Sequence, residues 1–181
     1  MIHIQDIIEK QEIISKMRWE YWQNHIIFSP QWWFLLISVL LLFIVWLIVS
    51  DKHKLLPILF MGVITFSVVS ILDTIGGDID LWDYPIMVLP WGPRILSIDV
   101  MISIFFMLIY QLFQTWKAYT IAALGMAFTF AFIFEPIATY LGIYLPLNWS
   151  HFYSFPIYFL LAIGIKAFVD KIVSISKGGA M

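Results

Sequence analysis

The sequence predicts an all-α fold: a polytopic transmembrane helix bundle of about five spans, preceded by an amphipathic N-terminal helix. Three observations predict it. Hydrophobic residues occupy 62% of the 181 positions and charged residues 12%, against roughly 45 to 50% apolar and 25% charged in soluble domains. Mean hydropathy is +0.92. The nine Trp, eight Tyr and sixteen Phe gather at the ends of apolar runs, where amphipathic rings settle at headgroup level.

The same composition excludes several function classes. A formal net charge of -2, with no dense Lys/Arg block, argues against a nucleic-acid partner. There is no cysteine, which removes disulfides, thiolate metal sites and Cys nucleophiles. The four histidines are scattered without metal-ligand spacing, and no Gly-rich phosphate loop or nucleophile motif appears, so neither metal nor cofactor is expected. The N-terminus lacks a basic region followed by an apolar stretch and a small-residue cleavage site, so no cleavable signal peptide is expected and the first apolar segment directs insertion.

Residues 1–30 form the N-terminal helix and linker. Ile4, Ile7, Ile14, Met17 and Tyr21 share a helical face among Asp6, Glu9, Lys10, Glu12, Lys16, Arg18 and Glu20. That pattern fits a helix lying in the membrane interface or a soluble cap packed on the bundle. Ser29-Pro30-Gln31 then breaks the chain.

Residues 31–176 hold the bundle, with spans predicted at 33–50, 55–75, 95–116, 118–143 and 155–172, followed by a polar tail at 177–181. At about 1.5 Å rise per residue a span needs roughly 20 residues. The turn Asp51-Lys52-His53-Lys54 is short enough to make the first two spans antiparallel neighbours. The connections 73–94 and 144–154 fall on the N-terminal side. Lys52, Lys54, Lys117, Lys171 and Lys177 fall opposite, which predicts a cytoplasmic C-terminus in a multi-pass plasma-membrane protein.

Intramembrane charge is costly and by default faces the bundle interior. Asp73 lies about 28 Å from Lys54 along its helix, Glu135 about 27 Å from Lys117, and Asp99 about 7 Å beyond Arg94. All four therefore occupy one stratum. Ala123, Ala127 and Ala131 form a small-residue stripe leading to Glu135, which turns that carboxylate toward a neighbouring helix. The simplest assembly gathers Asp73, Asp99, Glu135 and Arg94 into a pocket roofed by Trp82, Tyr84, Tyr144 and Trp149. His151 lies nearby, in what reads as a surface loop. The structural alternative is interhelical glue, in which each polar contact contributes only about 0.6 to 2 kcal/mol. Lys166, with Asp170 four residues on, reads as a snorkelling pair at the cytoplasmic edge.

An internal repeat is also visible. Asp73 is followed nine residues later by Trp82 and then Tyr84-Pro85, and Glu135 nine residues later by Tyr144 and then Leu145-Pro146. This is the pattern of a parallel duplication around one site.

Phe134-Glu135-Pro136, Gly142-Ile143-Tyr144, Trp149-Ser150-His151, Tyr153-Ser154-Phe155-Pro156, Asp73 and Leu81-Trp82-Asp83-Tyr84-Pro85 together resemble a family of small five-span membrane proteins from spore-forming Gram-positive bacteria. No reaction is assigned to that family, so the resemblance implies architecture alone. More distantly, an acid near a span end followed by aromatic residues is similar to the repeated unit of membrane-embedded lycopene and meroterpenoid cyclases. The paired-glutamate motif of the lycopene cyclases is absent here.

These observations lead to three functional expectations. The first is an outer-side acidic and aromatic pocket for a membrane lipid or an isoprenoid-like ligand. The second is an isoprenoid cyclase in which Asp73 or Glu135 is the general acid and the roofing rings stabilise a cation. The third is a proton or ion path, or a non-catalytic scaffold, with homo-oligomerisation open in each case.

Overall fold

The structure, a computed structural model, describes residues 3–90 and 95–178. It is an all-α bundle. Four of its helices are long and apolar enough to cross a membrane: Pro30–Val49, Lys52–Asp78, Trp116–Tyr140 and His151–Ser176. A shorter apolar helix, Ser97–Leu112, accompanies them.

Helix α1 (Ile4–Tyr21) begins where the Asp6 carboxylate accepts from the His3 backbone N–H at 2.8 Å. It buries none of its residues. A π-turn, Trp22–Ile26, ends it and buries Ile26. Helix α2 (Pro30–Val49) starts with proline at its first position, and Ser29 Oγ accepts from the Trp32 N–H at 3.2 Å. Both features suit a helix N-terminus, where free N–H groups need partners and proline has none to lose.

Helix α3 (Leu55–Asp78) follows a single tight turn. Its Gly62 leaves room for Met107 of the next helix: a Cβ there would lie 2.5 Å from Met107 Sδ. Helix α4 (Val100–Leu112), entered through the π-turn Ile95–Asp99, is the short one. It ends at Leu112 rather than at 116, because Thr115 caps the next helix by accepting from the Ala118 N–H at 3.3 Å. Ser97 through Gln111 are all buried or half-buried. Surrounded by protein, α4 has no need of full membrane length.

Helix α5 (Trp116–Thr129), the π-turn Phe130–Phe134 and α6 (Glu135–Tyr140) form one continuous rod. Pro136 explains the widened turn, since its ring would collide with the carbonyl four residues back in a regular helix. Helix α7 (His151–Gly178) begins four residues earlier than the predicted span and carries Pro156 within its second turn. Met61 and Val69 of α3, Phe106 of α4, Ala123 and Phe130 of the α5 rod, and Ile165 of α7 meet in one buried core. Ala123, Ala127 and Ala131 are all fully buried, as a close-packing stripe requires.

The two connections meet over one end of the bundle. Strand β1 (Trp82–Asp83) pairs antiparallel with β2 (Leu145–Pro146), with Trp82 opposite Pro146 and Asp83 opposite Leu145. Asn148 Nδ2 donates to the Asp80 carbonyl at 3.0 Å, extending the seam. The indole N–H groups of Trp22 and Trp32 donate to the Met87 and Val88 carbonyls at 3.1 and 3.0 Å, which ties the first connection down onto the start of α2.

Candidate functional site

Beneath this two-stranded lid lies a cavity of about 590 Å³, inside the 300 to 1,000 Å³ typical of small-ligand sites. Its walls are almost wholly apolar. Asp73 from α3 and Glu135 from α6 both line it, as do Trp82, Tyr84, Tyr144 and Trp149 from the lid.

Glu135 sits where three donors from α7 converge. Its Oε2 accepts from Ser154 Oγ at 3.0 Å and lies 2.7 Å from His151 Nδ1, while Oε1 accepts from Tyr158 OH at 2.9 Å. His151, Ser154 and Tyr158 are spaced three and four apart, which places them on one helix face. Trp149 Nε1 in turn donates to Ser154 Oγ at 2.9 Å. A buried carboxylate with this many donors is satisfied and fixed in orientation.

Asp73 accepts from Tyr84 OH at 3.2 Å on Oδ2 and 3.5 Å on Oδ1. Burial raises the Tyr84 phenol well above its ordinary value, and the Asp73 charge adds to the shift. Burial likewise raises the Tyr144 phenol, with Glu135 and then Asp73 contributing. Both phenols therefore remain neutral hydrogen-bond donors, and Tyr144 feels both acids at once. The Tyr84 and Tyr144 rings are 5.5 Å apart and the Trp82 and Trp149 rings 4.9 Å apart, so aromatic faces cover the polar end of the cavity.

Several expectations require correction. Asp99 is fully buried but does not line the cavity. It lies between α3 and α4, where Ser70 Oγ donates to its Oδ2 at 2.6 Å and its Oδ1 has no partner among the described residues. The cause is the π-turn ending at Asp99, which presents Ile98 rather than the acid to the cavity. Arg94 lies outside the described residues.

His151 is not a surface loop residue: it opens α7 and contacts Glu135. Ser154 and Tyr158 were missed for the same reason. Once α7 is extended back to His151, their spacing becomes a legible signal. Lys166 does not snorkel. It is 3% exposed, pairs with Asp170 at 2.9 Å, and stands 4.8 to 5.1 Å from the ring centres of Tyr110, Trp116 and Tyr119. This cluster lies about 22 Å along α7 from His151, on the far side of Leu161, which lines the cavity.

No family model, curated protein or solved structure matches this chain.

Proposed function

We propose that the chain is an integral membrane protein that binds a single-chain amphiphile, a lipid or an isoprenoid-like molecule, in the cavity beneath its lid. One observation carries the reading: the cavity is lined almost wholly by apolar side chains, and its two carboxylates, Asp73 and Glu135, lie beneath the lid, with Ser38 of α2 a further polar group in the wall. Such a site rewards burial of a hydrocarbon chain at about 25 cal/mol per Å² and fixes the direction of the ligand through a hydrogen-bond-donating head. The lysines at the far end of the bundle support an orientation with the cavity near the outer leaflet of the plasma membrane and the C-terminus cytoplasmic.

The test is native mass spectrometry of protein released from membranes. Wild-type protein is expected to carry a bound lipid that Glu135→Gln with Asp73→Asn loses, while helix content by circular dichroism stays the same. Equal lipid occupancy in wild type and double variant refutes the reading.

A second reading, an isoprenoid cyclase, is favoured by the four rings packed around the two acids. A carbocation needs π-faces near its birthplace. The general acid in this reading is Asp73, whose proton passes to an alkene carbon and is restored when the cation returns a neighbouring proton to the Asp73 carboxylate. Membranes containing the protein, incubated with polyprenyl substrates, then yield cyclised product that Asp73→Asn abolishes. Absence of product excludes this chemistry and leaves binding.

A further inference from the structure

The repeat visible in the sequence is matched in three dimensions. A shift of 62 positions carries Asp73 onto Glu135 and Trp82 onto Tyr144. The same shift carries α3, Leu55–Asp78, onto 117–140, the extent of the α5–α6 rod, and carries 95–112, the fourth helix with its π-turn, into α7. Packing follows suit: α3 packs along α4 as the rod packs along α7, and α3 meets α7 as α4 meets α5. The lid obeys the same correspondence. Asp83 shifts onto Leu145, and these two residues are paired. The pairing of Trp82 with Pro146 corresponds, under the same operation, to the juxtaposition of Tyr84 and Tyr144, whose rings are 5.5 Å apart. A pseudo-two-fold axis thus passes through the lid, with both halves running in the same direction across the bundle. The acids are equivalent positions, and Leu72 and Ile75 of α3 have Phe134 and Ile137 as counterparts, all four lining the cavity.

Such a bundle has two equivalent clefts leading from lipid to cavity. One lies between α4 and α6, and α2 lies over it: Leu35 joins Val88 and Ile143 in a buried cluster against which Ile98, Met101, Ala138 and Leu141 pack. Helix α2 stands outside the repeat, and among the described residues no counterpart of it covers the cleft between α3 and α7.

Phe60, Ile64, Val68 and Ile75 lie on one side of α3, and Ile157, Leu161, Gly164 and Phe168 on one side of α7. The Phe60 and Phe168 rings, 6.3 Å apart, close the cleft at its lower end. Above them a Cβ on Gly164 would meet nothing within 4 Å. Leu72, Ile75 and Ile157 line the cavity and are 38%, 51% and 37% exposed; on the α2 side Phe134 and Ile137 are likewise 42% and 48% exposed, so α2 narrows that cleft without sealing it. Side chains that face both the cavity and the outside mark an opening.

We infer that the cleft between α3 and α7 is a lateral portal through which an amphiphile dissolved in the bilayer reaches the cavity tail-side in lipid and head-first toward Asp73 and Glu135. The inference rests on the proposed binding reading and adds its route and its source: the ligand comes from the membrane phase, not from the aqueous side, where the paired strands and the edge-on and tilted ring pairs form the roof.

The experiment uses the full chain in liposomes and a long-chain primary alcohol bearing a mid-chain diazirine as the probe. After brief illumination, peptide mass spectrometry of wild-type protein is expected to show adducts on cavity residues such as Val69 and Ala138 and on Leu72 and Ile157 at the portal. Ile75→Trp with Ile157→Trp fills the cleft and is expected to lower cavity adducts at least tenfold at short exposure, while labelling at lipid-facing Ile121 stays constant. Gly164→Leu, which projects into open space, supplies a second blocked variant should the first fold poorly. Wild-type labelling of the cavity that persists undiminished in the blocked variants overturns the portal alone. No cavity adduct in wild type overturns the binding reading and the portal with it.

Discussion

Gly76 is the position at which the lid depends most directly on a missing side chain. A Cβ there would lie 2.1 Å from Trp82 Cζ2 and 2.6 Å from Cε2, whereas ordinary contact begins near 3.4 Å. The indole has little room to retreat, because its far side meets Trp149 at 4.9 Å and its backbone is paired to Pro146. Overpacking of this kind costs about 1 to 3 kcal/mol. Against it stands the gain of about 1 kcal/mol from replacing glycine in a helix interior. Gly76→Ala is therefore expected to be neutral to destabilising by about 2 kcal/mol in the wild-type background and stabilising by about 1 kcal/mol when Trp82→Ala has already removed the obstacle. The coupling between the two substitutions, about 1 to 3 kcal/mol, is the quantity that reports the contact. Equilibrium unfolding in mixed micelles of a mild detergent and dodecyl sulfate, followed by helical circular dichroism, measures it. An identical effect of Gly76→Ala in both backgrounds refutes the packing of Trp82 on α3, and with it the lid's seat over the cavity.

Removing the caged lysine charge with Lys166→Met leaves Asp170 without its cation. Breaking a buried pair costs about 3 to 5 kcal/mol; Asp170 is a third exposed, which reduces this to about 2 to 3 kcal/mol. Adding Asp170→Asn is expected to recover most of the loss in the same unfolding assay, and an additive double variant refutes the pairing. The Tyr144 phenol, raised above its ordinary value of 10.0 by burial, contributes stability that is complete below pH 10 and is lost as pH climbs through the higher folded-state value. Tyr144→Phe is accordingly expected to lose less stability than wild type on alkaline titration, and parallel curves refute that. Because the chain has no native cysteine, Ser150→Cys and Ser174→Cys can each be labelled from one face. An impermeant maleimide added to intact cells is expected to modify the first and spare the second, and the reverse pattern inverts the proposed orientation.

The fold class was legible in the sequence, as were two acids of the cavity wall, Asp73 and Glu135, and the four rings near them. Apolar runs near membrane length, broken by short polar turns, leave helices as the only structure that satisfies its own backbone in lipid, and a lone Asp73 or Glu135 in such a run has to face inward. The repeat was legible as well, because an acid followed nine residues later by an aromatic ring survives as a one-dimensional pattern. Periodicity did not reveal where the helices depart from regularity. The π-turns before Asp99 and Glu135 change which side chains face the cavity, and the backward extension of α7 to His151 brings three donors to Glu135. The fate of Lys166 was decided by Tyr110, Trp116 and Tyr119, rings contributed by two other helices. Tertiary structure alone settled these matters, because a hydrophobic pattern fixes which residues avoid water, whereas hydrogen bonds and ring contacts between helices depend on rotations of one residue or less, to which the pattern is blind.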